Sequence, residues 1–356
     1  MTTVDDIRER LGEVRPVGGR SDIVTAGLVR GIDLRNGRVT VHLTAPPMAA
    51  QLTSALVADI RRAVAALPDV TAVEVQTVPA GPEGTPFAEQ GPLPGVRDIL
   101  AVTSTKGGVG KSTVATNLAV ALQRLGLRVG LMDADVYGPS LPLMLGVDGR
   151  PRVSDQERIE PLEQFGLKVM SVGFFLDDSS PVIWRGPLVM GLVRQFLKDV
   201  EWGELDVLVV DLPPGTGDAP LTLVQQVPLA GGVVVTTPQE VATLDVQRGI
   251  AMFEQVNTPV LGIVENMSYY ECPHCGRRDD VFGEGGADRL AAAAGVPVLG
   301  RIPLVPEVRA GGDAGVPIVA AHPDHPVSRA FLDIARQVLT RIDAGRQAAA
   351  PPTIIG

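Results

Sequence analysis

An α/β domain with a mainly parallel sheet flanked by helices, preceded by a small α+β domain, is what this sequence predicts. Three observations lead there. Between residues 98 and 267, five short apolar runs rich in Val, Ile and Leu recur: DILAVTS, RVGLMDAD, VLVVDLPPG, GVVVTTPQ and PVLGIVENM. Long helical patterns lie between several of them, and near-continuous apolar strands alternating with helices are what a parallel sheet buried on both faces needs. Residues 1–78 carry a different pattern, set apart by PAGPEGTPFAEQGPLPG, 17 residues with four Gly and five Pro.

Taken in order, VDDIRERL predicts a short helix, and LVRGIDLRNGRVTVHLT reads as two strands about an Asn36-Gly37 turn, the strongest short hairpin signal. AAQLTSALVADIRRAVAAL has apolar residues at helical spacing, and VTAVEVQTV alternates like a strand. The expected organisation is a small α+β domain over 1–78, a Pro/Gly-rich linker over 79–97, the α/β domain over 98–342 and a disordered tail over 343–356. Near the end, SRAFLDIARQVLTRI presents Phe331, Ile334, Ala335, Val338 and Ile342 as one apolar stripe, read as a core-facing helix.

Composition narrows the function. The chain has 356 residues, 45% hydrophobic and 20% charged, with a net charge of −10. No Lys/Arg run supplies the basic face that phosphate neutralisation requires, which argues against nucleic acid. No stretch approaches the ~20 apolar residues that span a membrane. The acidic N-terminus MTTVDDIRER lacks an apolar signal core, and both cysteines sit in one motif rather than in a disulfide framework. A cytoplasmic protein is expected.

The strongest chemical signal is ILAVTSTKGGVGKSTVATNLAVALQRLG, a Gly-rich loop placed after a strand and before a helix. Gly107, Gly108 and Gly110 let the backbone around Val109 curl so that its N–H groups face a triphosphate, and the helix starting near Lys111 adds its positive end. Lys111 is expected at the β/γ-phosphates, the Ser112 hydroxyl on Mg²⁺ and Thr113 at the α-phosphate. ATP with Mg²⁺ is therefore the expected ligand.

A second signal is YYECPHCGRRDD, in which Cys272 and Cys275 form the chain's one CxxC pair. Two thiolates at that spacing suit one metal centre, yet zinc and iron–sulfur sites normally take four protein ligands. From spacing alone an iron–sulfur cluster and a zinc knuckle stand level, and a redox CxxC is a third reading.

The octet KGGVGKST departs from the usual P-loop pattern: Thr105 stands where glycine is ordinary, and Lys106 follows. This deviant Walker A form resembles the MinD/ParA/nitrogenase-iron-protein group of P-loop ATPases. The resemblance implies that Lys106 reaches a partner's nucleotide across an ATP-linked homodimer. It also implies that Asp135 positions the attacking water, that Asp133 sits near Mg²⁺, and that Asp211, closing VLVVDLPPG, is a Walker B acid. Gly215 would then sense the γ-phosphate and Asn266 read adenine, while Asp218 is either a switch residue or a helix N-cap. Beyond the loop, DADVYGPS, WRGPLV, DLPPGTGD and the run from TTPQEV to PLVPEVR resemble the Mrp/ApbC family of iron–sulfur cluster carrier ATPases.

That likeness covers nearly all of 98–342. It implies a homodimer in which Cys272 and Cys275 of each copy share a labile [4Fe-4S] cluster, slow ATP hydrolysis, and apo iron–sulfur proteins and a cluster-assembly scaffold as partners. Residues 1–78 resemble the MIP18-like module, but the loop that often bears a cysteine there reads LTAPPMAAQL, which leaves docking or structure as its role. Two rival functions remain at this point. A positioning ATPase of the MinD/ParA kind is disfavoured by the CxxC pair, the acidic charge and the lack of a basic terminal amphipathic helix. A zinc-stabilised dimeric ATPase without an iron role is separated by metal analysis.

Overall fold

A computed structural model describes residues 2–14, 22–24, 29–35, 37–45, 50–79, 93–135, 138–155, 158–175, 193, 195–215, 220, 224–225, 227–239, 249–254, 256–272 and 274–349. Trp184, Arg185 and Asp218, most of the Pro/Gly-rich stretch and the last seven residues lie outside that set. The chain divides into two compact units, Met1–Glu89 and Gln90–Gly356.

In the first unit, α1 (Val4–Leu11) opens with a capping box: the Thr3 hydroxyl accepts from the Asp6 amide, and the Asp6 carboxylate accepts from the Thr3 amide. This satisfies two of the four N–H groups a helix start leaves open. Ile7 and Leu11, one turn apart, are fully buried. Strands β1 (Val29–Arg35) and β2 (Arg38–Ala45) form an antiparallel hairpin, with Arg35 opposite Arg38. Helix α2 (Ala50–Ala65) then carries the chain back to β3 (Ala72–Pro79), which joins β2 in parallel. Alternate residues Val39, Val41 and Leu43 face inward onto Ile60 and Val64.

The second unit is the α/β layer structure. Its elements run β4 (Val96–Thr103), α3 (Lys111–Arg124), β5 (Val129–Asp133), α4 (Leu141–Leu145), β6 (Arg152–Val153), β7 (Ile159–Glu160), β8 (Leu162–Gln164), β9 (Leu167–Ser171), β10 (Leu205–Asp211), β11 (Gly231–Thr236), β12 (Val260–Glu271), β13 (Arg278–Asp279), α5 (Gly286–Ala294), β14 (Val298–Leu304), α6 (Pro306–Asp313), α7 (Ile318–Ala321) and α8 (Pro326–Ala349). The main sheet runs β14-β12-β11-β4-β10-β5-β9-β8, parallel throughout except at the β8 edge, with the short β13 added antiparallel to the far end of β12. After β4 the chain moves one way, past β10 to β5; after β10 it moves the other way, past β4 to β11. Such a reversal opens a crevice at the carboxyl ends of the strands. Register sharpens the arrangement, because Asp211 lies opposite Val102 on one side and Asp133 on the other.

All five strands read from the sequence are present. Two more parallel strands, β9 and β14, escaped that reading because Lys168, Arg301, Gly300 and Pro303 interrupt their apolar runs. Those residues are tolerated near the sheet margins, where burial is incomplete. The linker expectation also needs trimming at both ends: β3 takes in Pro79, and β4 begins at Val96 with Leu93 already buried.

The expected disordered tail is corrected further. Helix α8 continues to Ala349, since Ala344, Arg346, Gln347, Ala348 and Ala349 are good helix formers and Arg346 reaches back to Asp98 in β4 and to Asp343 on its own helix. Phe331, Ile334, Ala335, Val338 and Ile342 are all buried on the face that meets α3 and β14. Phe331→Ala is therefore expected to destabilise the second unit by about 3–5 kcal/mol, read from the urea midpoint of the fluorescence of Trp202, a buried residue in that unit.

Candidate functional site

The Gly-rich loop spans 104–110, between the end of β4 and the start of α3. Gly108 and Gly110 both sit in the left-handed region, at φ 79° and 80°. A Cβ on Gly110 would also strike the Asn266 side-chain amide. No side chain caps the N-terminus of α3, so its first N–H groups and the positive end of its dipole are directed at the loop. Inside the loop the Ser104 hydroxyl donates to the Lys106 carbonyl at 2.9 Å. Asn266 Nδ2 donates to the Val109 carbonyl, also at 2.9 Å, from the neighbourhood of β12.

Behind the loop lies a buried charge cluster. Lys111 Nζ stands 2.6 Å from Asp211 Oδ1, 3.3 Å from the Ser112 hydroxyl and 3.7 Å from Asp135 Oδ2. Asp211 Oδ2 is buried and, among the described residues, has no hydrogen-bond partner. Burial pushes the Asp211 carboxyl above its ordinary range, against the pull of the Lys111 ammonium. Asp133 is raised to about 7, by burial first and the Asp211 charge second. One ammonium thus faces three carboxyls in a dry site. An unpartnered carboxylate oxygen beside a hydroxyl is chemistry that fits a hard divalent cation.

Asp133, beside Asp211 in register, spends both oxygens on the protein. Its Oδ1 accepts from the Asp135 amide at 3.0 Å; its Oδ2 accepts from the amides of Ser140 and Leu141 and from the Ser171 hydroxyl, at 3.2, 3.3 and 3.0 Å. Both oxygens are engaged in holding Asp135, Ser140 and Leu141 and the end of β9. Gly215, at φ 106°, donates its amide to the Ser104 carbonyl at 2.8 Å and so braces the loop. The Thr113 carbonyl accepts from Asn117 Nδ2, which leaves the Thr113 hydroxyl outside that bond.

Beside the loop, a cleft of about 250 Å³ is walled by Lys106, Gly107, Gly108, Thr237, Met267 and Phe282. Met267 and Phe282 come from the two sides of the cysteine-bearing excursion. Strand β12 breaks register after Asn266, where Met267 adopts φ 53°. It then pairs with β13, Tyr270 opposite Asp279 and Glu271 opposite Arg278. The Cys272 amide donates to the Arg277 carbonyl at 3.0 Å, and the Gly276 amide to the Cys272 carbonyl at 2.8 Å. Both cysteines are free thiols at the hairpin tip, Cys272 half-buried and Cys275 exposed. The backbone N–H of His274, then that of Cys275, lowers the Cys272 thiol below its ordinary value. Among the described residues no group of three or more His, Cys, Asp or Glu side chains converges to hold a metal ion.

Sequence reasoning missed Glu265. A charged residue inside the apolar run VLGIVEN was the available signal, and it is 2% exposed. Ser171 and Phe282 carried no such signal.

A family model described as NUBPL iron-transfer P-loop NTPase (ParA) matches residues 95–339, and one described as iron-sulfur cluster assembly protein matches residues 4–75. A protein of Synechocystis sp. named iron-sulfur cluster carrier protein is 44% identical over 347 residues, covering 96% of this chain and 98% of its own. Among solved structures, a nucleotide-binding protein of Archaeoglobus fulgidus in complex with ADP is similar with a TM-score of 0.60 at 43% identity, over 69% of this chain and 95% of that one. The cell-division ATPase MinD of Pyrococcus furiosus is similar with a TM-score of 0.52 at 23% identity, over 68% and 98%; that likeness is one of fold.

Gly110→Ala is expected to weaken ATP binding at least tenfold, because a non-Gly residue at that φ costs roughly 1–2 kcal/mol and the new methyl displaces Asn266; titration with a fluorescent ATP analogue reads it. The raised Asp133 carboxyl gives a pH signature. With its ordinary value at 3.8 and its folded value about 7, the folded state holds the proton between those limits while the unfolded state releases it. Stability is thus greatest at the acid end of the window and declines as pH rises towards 7. Urea midpoints that are flat or rising over that window would contradict the placement.

Proposed function

Because the chain belongs to the NUBPL-type iron-transfer P-loop NTPase family, we propose that it is an ATP-hydrolysing carrier that holds a labile [4Fe-4S] cluster between two copies of itself and delivers it to apo iron–sulfur proteins. One observation carries the reading: two free thiols stand at the tip of a hairpin whose strand, β12, also carries Asn266, hydrogen-bonded to the nucleotide loop. Each chain presents two of the four thiolates a cluster needs. A twofold axis brings the second pair from an identical copy without further residues.

The P-loop residues divide the work. Backbone N–H groups of 107–110 and the start of α3 receive the phosphates. Lys111 exchanges its Asp211 partner for phosphate oxygens, and Thr113 reaches the α-phosphate. The Ser112 hydroxyl and, through water, Asp211 would hold Mg²⁺, which would supply charge neutralisation at the phosphates. Asp135 orients the attacking water, and Lys106 extends across the cleft to the partner's nucleotide. Gly215 meets a γ-phosphate only by giving up its bond to Ser104. Asn266, six residues before Cys272, lies where adenine recognition and hairpin pose meet. Slow turnover suits a switch of this kind. The first unit, which holds neither cysteine, serves docking or structure.

No helix among the described residues is long and apolar enough to cross a membrane. Zinc is the second reading, because a thiolate supported by backbone N–H groups suits a zinc knuckle as well as a cluster.

Anaerobic reconstitution is expected to load about four irons and four sulfides per dimer, and Cys275→Ala to abolish loading while ATP binding persists. One zinc per dimer with no iron would leave a nucleotide-binding dimer and remove the carrier function.

A further inference from the structure

Glu265 lies midway along β12, opposite Thr236 of β11 on one side and Arg301 of β14 on the other. It is 2% exposed. A buried carboxylate needs its oxygens satisfied, and the way this one is satisfied is informative. Oε2 accepts from the Ser268 hydroxyl at 2.6 Å and faces Arg301 Nε at 3.4 Å, while Oε1 accepts from the Ala287 amide at 2.9 Å. Ser268 lies in the irregularity between Asn266 and Tyr270, where β12 loses its register with β14 on the way to the cysteines. Ala287, in the first turn of α5, is where the chain returns. A single side chain therefore ties both feet of the excursion over residues 269–286, which holds Cys272, Cys275 and Phe282.

The neighbouring residue faces the opposite way. Asn266 donates to the Val109 carbonyl of the nucleotide loop, and Met267 next to it takes up the turn at φ 53°. The returning foot is pinned as well: a Cβ on Gly286 would collide with the Pro238 carbonyl, so the excursion rests directly on the backbone beyond β11. That backbone, through Thr237, walls the same cleft as Lys106 and Phe282. Two consecutive residues of one strand thus grip the nucleotide loop and the cysteine hairpin.

We propose that Glu265 is a positioning residue that clamps both feet of the cysteine hairpin and, through the adjoining Asn266, makes the pose of Cys272 and Cys275 answer to nucleotide in the phosphate loop. The proposal rests on the carrier reading for its biological meaning. Its physical content concerns only this chain's own residues. Arg301, which also pairs with Asp288, holds the carboxylate from its solvent side, so the clamp is a closed set of contacts.

Hydrogen exchange on the full-length protein, prepared free of iron, tests it with and without a saturating non-hydrolysable ATP analogue. In the wild type the amides of 269–280 are expected to change their exchange on nucleotide addition. In Glu265→Gln, and in Ser268→Ala where only the outgoing foot is freed, those amides exchange roughly tenfold faster without nucleotide and no longer respond to it. Amides of β4 and β10 keep their protection in both variants. Unchanged hairpin exchange in both variants overturns the proposal. So does a wild-type hairpin that ignores nucleotide, and so does loss of protection spread across the sheet, which marks Glu265 as a fold-stability residue only. Because no iron enters the measurement, a failed clamp is distinguishable from a failed carrier, which metal analysis decides.

Discussion

The buried pair formed by Lys111 and Asp211 is the interaction on which the rest of the second unit depends. A lysine 6% exposed and an aspartate 0% exposed, 2.6 Å apart, are tolerable only because each compensates the other's lost hydration. The pair sits at the carboxyl edge of the parallel sheet, where the buried strands give way to loops. There β4 releases the loop that carries Lys111, and β10, in register beside it, ends on Asp211. Asp133, directly opposite on β5, is forced into the same dry pocket and anchors the segment bearing Asp135. The arrangement carries more negative than positive charge, and a cation with phosphate is its natural complement.

From that edge the structure reaches the cysteines along one strand. β12 is 12 residues long, about twice the ordinary length, and its inner and outer halves do different things. The inner half lies between β11 and β14 and brings Asn266 to the loop; the outer half, past a break in register with β14, becomes one arm of the hairpin. The change occurs at Met267, a non-glycine residue in the left-handed region. Such a conformation persists only where surrounding contacts hold it, and here those contacts are the Asn266 bond on one side and the Glu265–Ser268 bond on the other.

Much of this was legible in the sequence. A Gly-rich loop between a strand and a helix, five Val/Ile/Leu runs and a CPHC turn are local patterns whose physics acts over a few residues. The phosphate loop and the central strands could therefore be read directly, while the β12–β13 hairpin that carries the thiols could not. What escaped was non-local. β9 and β14 carry charges or glycine and proline whose tolerance depends on their place near the sheet margins. The last helix runs on because Arg346 finds Asp98, 248 positions earlier. Asp133 was read by its motif as a neighbour of the cation, and only the fold brings four donors onto its two oxygens.

By itself the sequence determined the kinds of groups available: a loop able to wrap phosphates, two lysines and three aspartates around it, and only two thiols. These follow from residue type and short spacing, which tertiary packing does not alter. The tertiary structure decided which of them meet. It set Lys111 against Asp211 rather than another acid, spent the Gly215 amide on Ser104, and placed Glu265 where the chain departs for the cysteines and where it returns. Partners in a parallel sheet come from strands far apart in the chain, and their pairing is selected by burial and register summed over the whole core, a quantity no single stretch of sequence contains.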